Sequence, residues 1–144
     1  MPFIRSRYPK DWPAIRRRIL DRDGHRCKRC GLPNHAVGWR DREGRFHRAG
    51  GNSEWDALGN GERTYAEARE ACAEANDWQG GLGDNGEPAM VIVLTIAHLD
   101  HDTENNAEGN LAAWCQRCHL RHDAQQHAAS RRRRRHAGQQ ELPL

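Results

Sequence analysis

Two pairs of cysteines, Cys27-x-x-Cys30 and Cys115-x-x-Cys118, constrain this chain more than any other feature, and more than eighty residues separate them. Two residues between thiolates let both sulfurs of a pair reach one ion from a tight turn. Two pairs complete a tetrahedral four-sulfur set, which zinc favours and which leaves no open position for chemistry. The expectation is a structural Zn²⁺ on Cys27, Cys30, Cys115 and Cys118 that fastens distant parts of the chain. The composition makes such a clamp useful, because only 36% of the residues are hydrophobic and 30% are charged. A core that thin gains from a structural metal, whose binding contributes on the order of 10 kcal/mol in small domains. Cys115-Gln116-Arg117-Cys118-His119 also fits the C-x-x-C-H pattern of covalent haem attachment. Haem would strand Cys27 and Cys30 without partners and usually follows export, so no haem is expected. The N-terminal MPFIRSRYPK holds no apolar leader, and the odd count of five cysteines argues against a disulfide framework. Both point to a reducing, cytoplasmic setting. The longest apolar run, residues 89–97, is half the length a membrane span needs.

Charge is unevenly distributed. Residues 1–30 hold ten Lys/Arg against three Asp/Glu, residues 31–110 six against fifteen, and residues 111–144 seven against two. If the basic ends meet in space they form one positive surface, the electrostatic footprint of a nucleic-acid binder, with an acidic insert beside it. Arg16, Arg17 and the arginines at 131–133 are the candidate contacts. The run Arg131–Arg135 would add salt-dependent affinity without sequence choice.

The pattern predicts an α+β chain: one domain over 1–130, with residues 34–88 as an insert and 131–144 as a basic, disordered tail. A first helix is expected near 12–22, with Asp11 as cap, Pro13 in the first turn, and Trp12, Ile15 and Ile19 on one face. Val37–Arg40 and Arg45–Arg48 flank the polar turn Asp41–Gly44 as a hairpin. Thr64 and Glu67 form a capping box ahead of a helix over 65–77, in which Cys72 reads as a small core residue. Residues 49–61 read as loop, and 89–97 as one buried strand. A polar loop over 100–109 then leads to a third helix, starting between Leu111 and Cys118 and running to about Ser130. Trp12 and Trp114 are expected around the zinc, and Trp39 and Trp55 on a substrate-facing part of the insert.

The stretch LTIAHLDHDTENNAEGNLAAWCQRCHLRHD, residues 94–123, resembles the HNH endonucleases, in particular the zinc-braced branch of phages and prophages. The likeness covers Ile15–Gly31 and Val91–Asp123, about a third of the chain. His98 falls at the family's first His, Asn110 at its Asn and His119 at its last His. The steps of twelve and nine residues between them, and the Asn105-Asn106 pair, also match. The resemblance implies a zinc-stabilised ββα-metal (His-Me finger) core and metal-dependent hydrolysis of DNA, nicking or double-strand cutting, that leaves a 5′-phosphate and a 3′-hydroxyl. It implies His98 as the general base, a role imidazole suits because it titrates near the working pH. It also implies His119 as ligand to a divalent cation (Mg²⁺, Mn²⁺ or Ni²⁺) and Asn110 as the brace of the loop. Packaging proteins, such as a terminase or portal, are implied as partners in a bacterial or phage-infected cell. One departure stands out: the family's second metal ligand, directly before the base, is here Ala97. Asp123, four residues after His119 on the same helical face, is the favoured replacement, with His122, Asp100 and His101 also open.

Two other classes fit the same composition. A non-catalytic zinc-ribbon DNA-binding module would use the basic ends without His98. An interaction protein would use the acidic insert and show no strong salt-dependent affinity for DNA.

Overall fold

The computed structural model describes residues 5–49 and 64–140. The chain is mixed α+β, and its described residues form three α-helices and two small antiparallel sheets. Helix α1 spans Trp12–Arg22 and buries Ile15, Ile19 and Leu20. It is followed by a knuckle in which the Cys27 carbonyl accepts the Gly31 N–H at 2.8 Å. Gly31 takes a φ of +77°, the left-handed conformation such a turn needs. The strands β1 (Val37–Arg40) and β2 (Phe46–Arg48) form the hairpin expected of them. Helix α2 (Tyr65–Gln79) carries the full Thr64/Glu67 capping box at its start. Residues 50–63, and with them Trp55, lie outside the described residues.

The apolar run 89–97 is not one strand. Its first part, β3 (Met90–Val91), pairs with β1, and its second, β4 (Leu94–His98), belongs to the other sheet. Between them Ile92 exchanges backbone bonds with His35 and Ala36, so the chain leaves one sheet to enter the next. A continuous apolar run cannot reveal such a crossing, because neither half is exposed.

The third helix starts at Gln116, inside the expected window between Leu111 and Cys118, but a strand not expected from the sequence, β5 (Leu111–Cys115), precedes it. It pairs with β4 from Leu94↔Cys115 to His98↔Leu111, and helix α3 (Gln116–Gln140) follows without a break. Two alanines in five residues carry no strand preference of their own; the pairing with β4 decides. Another correction is at the C-terminal end, where residues 131–140 continue α3 instead of forming a disordered tail. Arg, Ala and Gln are good helix formers, and the packed first turns of α3 supply the nucleus from which they propagate.

Side-chain parity sets up the layers. Leu94, Ile96 and His98 lie on one face of the β4–β5 hairpin, over α1; Thr95, Ala97 and Trp114 lie on the other, over α3. The core is formed by Ile15, Ile19 and Leu20 against Leu94, Ile96, Leu111 and Ala113. Both edges of this hairpin are covered. Asn34 Oδ1 accepts the buried Leu94 N–H at 3.0 Å, and Arg16 donates to the Leu94 carbonyl at 3.2 Å. On the β5 side, Asp23 accepts the Ala113 N–H at 2.9 Å and Arg22 donates to the Leu111 carbonyl at 2.6 Å. Arg117, in the first turn of α3, donates to the Gly44 carbonyl and so ties the β1–β2 turn to the helix.

Candidate functional site

The four cysteines of the two C-x-x-C pairs converge, with all four sulfurs within 4.8 Å of one another. The knuckle after α1 presents Cys27 and Cys30, the end of β5 presents Cys115, and the first turn of α3 presents Cys118. The sulfurs of Cys30 and Cys115 stand 3.7 Å apart. A tetrahedron of 2.3 Å zinc–sulfur bonds has an edge of about 3.8 Å, so the donor set fits that ion. Burial pushes the Cys27 thiol up, but the backbone N–H groups of Cys115, Cys30 and Arg29 outweigh it and bring it down to about 7. Burial and the neighbouring thiols raise Cys30 and Cys118. Four thiols this close cannot all ionise without a cation among them. The cluster could hold a metal ion such as zinc.

A second cluster lies on the α3 face of the hairpin. Asp123 Oδ2 is 3.3 Å from His119 Nε2, and its Oδ1 is 3.0 Å from His101 Nδ1. Thr95 Oγ1 lies 2.8 Å from His119 Nδ1 and 3.3 Å from the Trp114 carbonyl, and its single hydrogen serves one of the two. Where the carbonyl takes it, His119 donates through Nδ1 and the Nε2 lone pair faces Asp123; where Nδ1 takes it, Nε2–H donates to Asp123. Burial, ahead of the opposing pull of Asp123, lowers the pKa of His119, and His122, His98 and His101 lower it further. His101, His122 and Asp123 each bring a ligand atom within 4.8 Å of the others, a set that could hold a metal ion.

His98 is on the other face. It is buried (7% exposed) and its ring stacks on Trp12 at a centroid distance of 5.6 Å and an interplanar angle of 11°. Its Nε2 lies 2.9 Å from Asn106 Oδ1, and the Asn106 amide nitrogen donates to the Glu104 carbonyl. That second bond fixes the amide orientation. His98 must therefore donate through Nε2, and its neutral form carries the free lone pair on Nδ1. Asn110 holds the connecting loop: its amide oxygen accepts the Asp100 N–H at 3.1 Å, and its amide nitrogen donates to Asp100 Oδ1 and the Asn105 carbonyl. With Asn105 as the leading donor, these bonds hold the Asp100 carboxyl at about 2.

The chain matches no family model, and no curated protein or solved structure matches it. What the site can do follows from its own side chains.

Of the residues singled out in the sequence, the structure brings His119 to Asp123 and gathers the four cysteines. It does not bring His98 into contact with His119. The two rings approach from opposite faces of one hairpin end, near enough for the charge of one to act on the other. Thr95, beside His119, carried no sequence signal; Asn106, noted only as half of the Asn105-Asn106 pair, holds His98, and Trp12, expected around the zinc, stacks on His98. Trp114 presents its edge to His122 at 4.8 Å, with the Arg29 guanidinium 5.7 Å from its ring centroid. Cys72 is only half-buried, with its thiol raised by burial, so it is no core residue. Arg17 and Arg131–Arg133 are exposed, whereas Arg16 is half-buried and spends one nitrogen on Leu94, which leaves it a lesser share in any outside contact. Among the described residues, no helix is long and apolar enough to cross a membrane.

Proposed function

We propose that the chain is a metal-dependent DNA endonuclease of the HNH type, with β4, β5 and the start of α3 as a ββα-metal core and a structural zinc on the four cysteines. One observation carries the reading: a histidine with a free Nδ1 lone pair at the loop end of one hairpin, and a His–carboxylate pair suited to a cation on the hairpin's other face. Phosphodiester hydrolysis needs both a base for the attacking water and stabilisation of the extra negative charge on phosphorus.

His98 takes the proton from water on Nδ1. The imidazolium that forms keeps its Nε2–H on Asn106 Oδ1, and Trp12 prevents the ring from turning away. His119 and Asp123 hold the divalent cation, which supplies Lewis-acid stabilisation to the phosphoryl and leaving 3′ oxygens when bound. Thr95, on His119 Nδ1, keeps the ring turned with Nε2 toward Asp123, and Asn110 keeps the loop that carries Asn106 in place. Arg17 and the arginines at 131–133 face solvent and match a phosphate backbone in charge.

The test is relaxation of supercoiled plasmid by the purified chain with Mg²⁺, Mn²⁺ or Ni²⁺, beside His98→Ala and His119→Ala. Wild type cuts, chelator stops it, and both variants lose at least a hundredfold in rate while retaining zinc and fold. The exposed arginines of α3 favour a second reading, a DNA-binding module without catalysis. In that case wild type binds DNA, no cation elicits cutting, and His98→Ala behaves as wild type.

A further inference from the structure

The β1–β2 turn gathers two guanidinium groups on a single oxygen. The Gly44 carbonyl accepts from Arg40 Nη1 at 2.9 Å and also from Arg117 Nη1, although Arg40 closes β1 and Arg117 lies in the first turn of α3. Both side chains are half-buried. Each is held in place: Arg40 lies over the Phe46 ring at 5.6 Å, and Arg117 lies against Gly44, where any side chain would collide with the guanidinium. Gly44 also takes a φ of +79°, so the turn and the close approach both call for glycine.

No carboxylate answers this charge. The turn carries two, and both are engaged by others. Asp41 accepts from Arg45 Nε at 2.9 Å and lies 2.8 Å from His47 Nε2, while Glu43 is 3.6 Å from Arg45. Among the described residues neither Arg40 nor Arg117 pairs with an acid, and the first turn of α3 contains none. To tie the turn to the helix, one arginine would suffice. A second cation at the same oxygen adds repulsion that a carbonyl dipole does not cancel. Each guanidinium gives Nη1 to Gly44 and has Nε and Nη2 to offer, the edge that forks onto an oxyanion. The N-terminal end of α3 adds positive potential of its own.

We infer that Arg40 and Arg117 form a two-guanidinium site for one phosphate group, and that this group is a backbone phosphate of bound DNA. The DNA clause rests on the nuclease reading; the phosphate site itself does not. Arg117 precedes His119 by two positions, about 200° around the helix axis, so the two side chains leave α3 on different sides. The phosphate held here is therefore not the one that is cut. It fixes the position of the duplex, and Arg40 and Arg117 are positioning residues.

The test uses the full chain with its cysteine site filled by zinc and no other divalent cation. Arginine Nε–H signals are followed by NMR during addition of inorganic phosphate, and binding of a short random-sequence duplex is followed by fluorescence anisotropy. Phosphate shifts the Arg40 and Arg117 signals with one common midpoint, and Arg40→Gln abolishes the shift at Arg117. Arg40→Gln and Arg117→Gln each lower duplex affinity about tenfold, the lower end for a hydrogen bond to a charged group. Each also reduces the slope of log affinity against log salt by about 0.9, the value for one phosphate. The double variant loses no more than either single one, because the phosphate is shared. Arg42→Gln, exposed in the same turn, changes neither quantity. Circular dichroism and zinc content establish that each variant is folded. Should Arg117→Gln not fold, Arg117→Lys keeps the charge and the slope but loses the fork, and with it the affinity.

The site is overturned if phosphate moves neither signal or moves them with separate midpoints, if the two losses add in the double variant, or if Arg42→Gln costs as much. A phosphate response with unaltered duplex affinity in both single variants overturns the DNA assignment. The nuclease reading fails separately. The expected losses beside a wild type that cuts under no cation keep the site and remove the reaction. Cutting by a wild type whose arginine signals do not respond does the reverse.

Discussion

At the scale of single residues, the site depends on which nitrogen of each imidazole is free. Asn106 decides it for His98, because its amide nitrogen is committed to the Glu104 carbonyl, and for His119 it turns on where the one hydroxyl hydrogen of Thr95 goes. Thr95→Val keeps the shape and removes the hydroxyl partner of His119 Nδ1, so it leaves a half-buried ring nitrogen unpaired at a cost of about 1 kcal/mol. The depressed pKa of His119 gives a pH dependence of definite sign. The unfolded chain takes up a proton on this ring as pH falls through 6.5, while the folded chain resists until a lower pH. Stability from this group is therefore complete above that value and declines as the pH drops below it. An NMR titration of the His119 ring should show its midpoint below 6.5, and His119→Gln should flatten the dependence of the unfolding free energy on pH just below 6.5.

At the scale of elements, the loop between β4 and β5 and the far end of α3 behave differently. The loop buries little, and Asn110 with Asp100 closes it by a set of side-chain bonds. Asn110→Ala removes three of them and should lower stability by about 1–2 kcal/mol, with faster amide exchange over residues 99–110 in hydrogen-exchange measurements. The end of α3 has no packing to lose. It is 25 residues long, about 38 Å, and its described side chains from 128 onward are exposed. Consecutive arginines at about 100° per residue point their charges to every side. Replacing Arg131, Arg132 and Arg133 with alanine should reduce the slope of log affinity against log salt by up to about 0.9 for each phosphate that is no longer neutralised, and leave the melting temperature nearly unchanged.

For the whole molecule, the cysteine cluster joins segments 85 positions apart and sits where α1, β5 and α3 converge. Three of the four cysteines are buried inside the cluster of core residues, so the cysteine cluster and the hydrophobic core are one structure. Stripping the metal with a strong chelator under reducing conditions should remove on the order of 10 kcal/mol and unfold the chain around α1 and β5. Loss of far-UV circular dichroism on chelation, restored by added Zn²⁺, checks this. A chain that keeps its melting temperature after complete metal removal would rule out the structural role.

The sequence alone determined the features whose cause is local. The C-x-x-C spacing, the Thr64/Glu67 capping box, the apolar face of α1 and the i,i+4 pair His119/Asp123 all follow from residues within one or two turns of each other. Tertiary structure decided whatever needed a partner from elsewhere. Leu111–Cys115 became a strand because β4 was there to pair with it, and the run 89–97 divided because two sheets competed for it. His98 and His119 lie on opposite faces because the β4–β5 register turns His98 toward α1, while α3, which carries His119, packs on the other face, and register is a property of two strands rather than of either one. The ring orientations of the two histidines were settled in the same way, by hydrogen-bond partners up to 24 positions away that the linear order does not reveal.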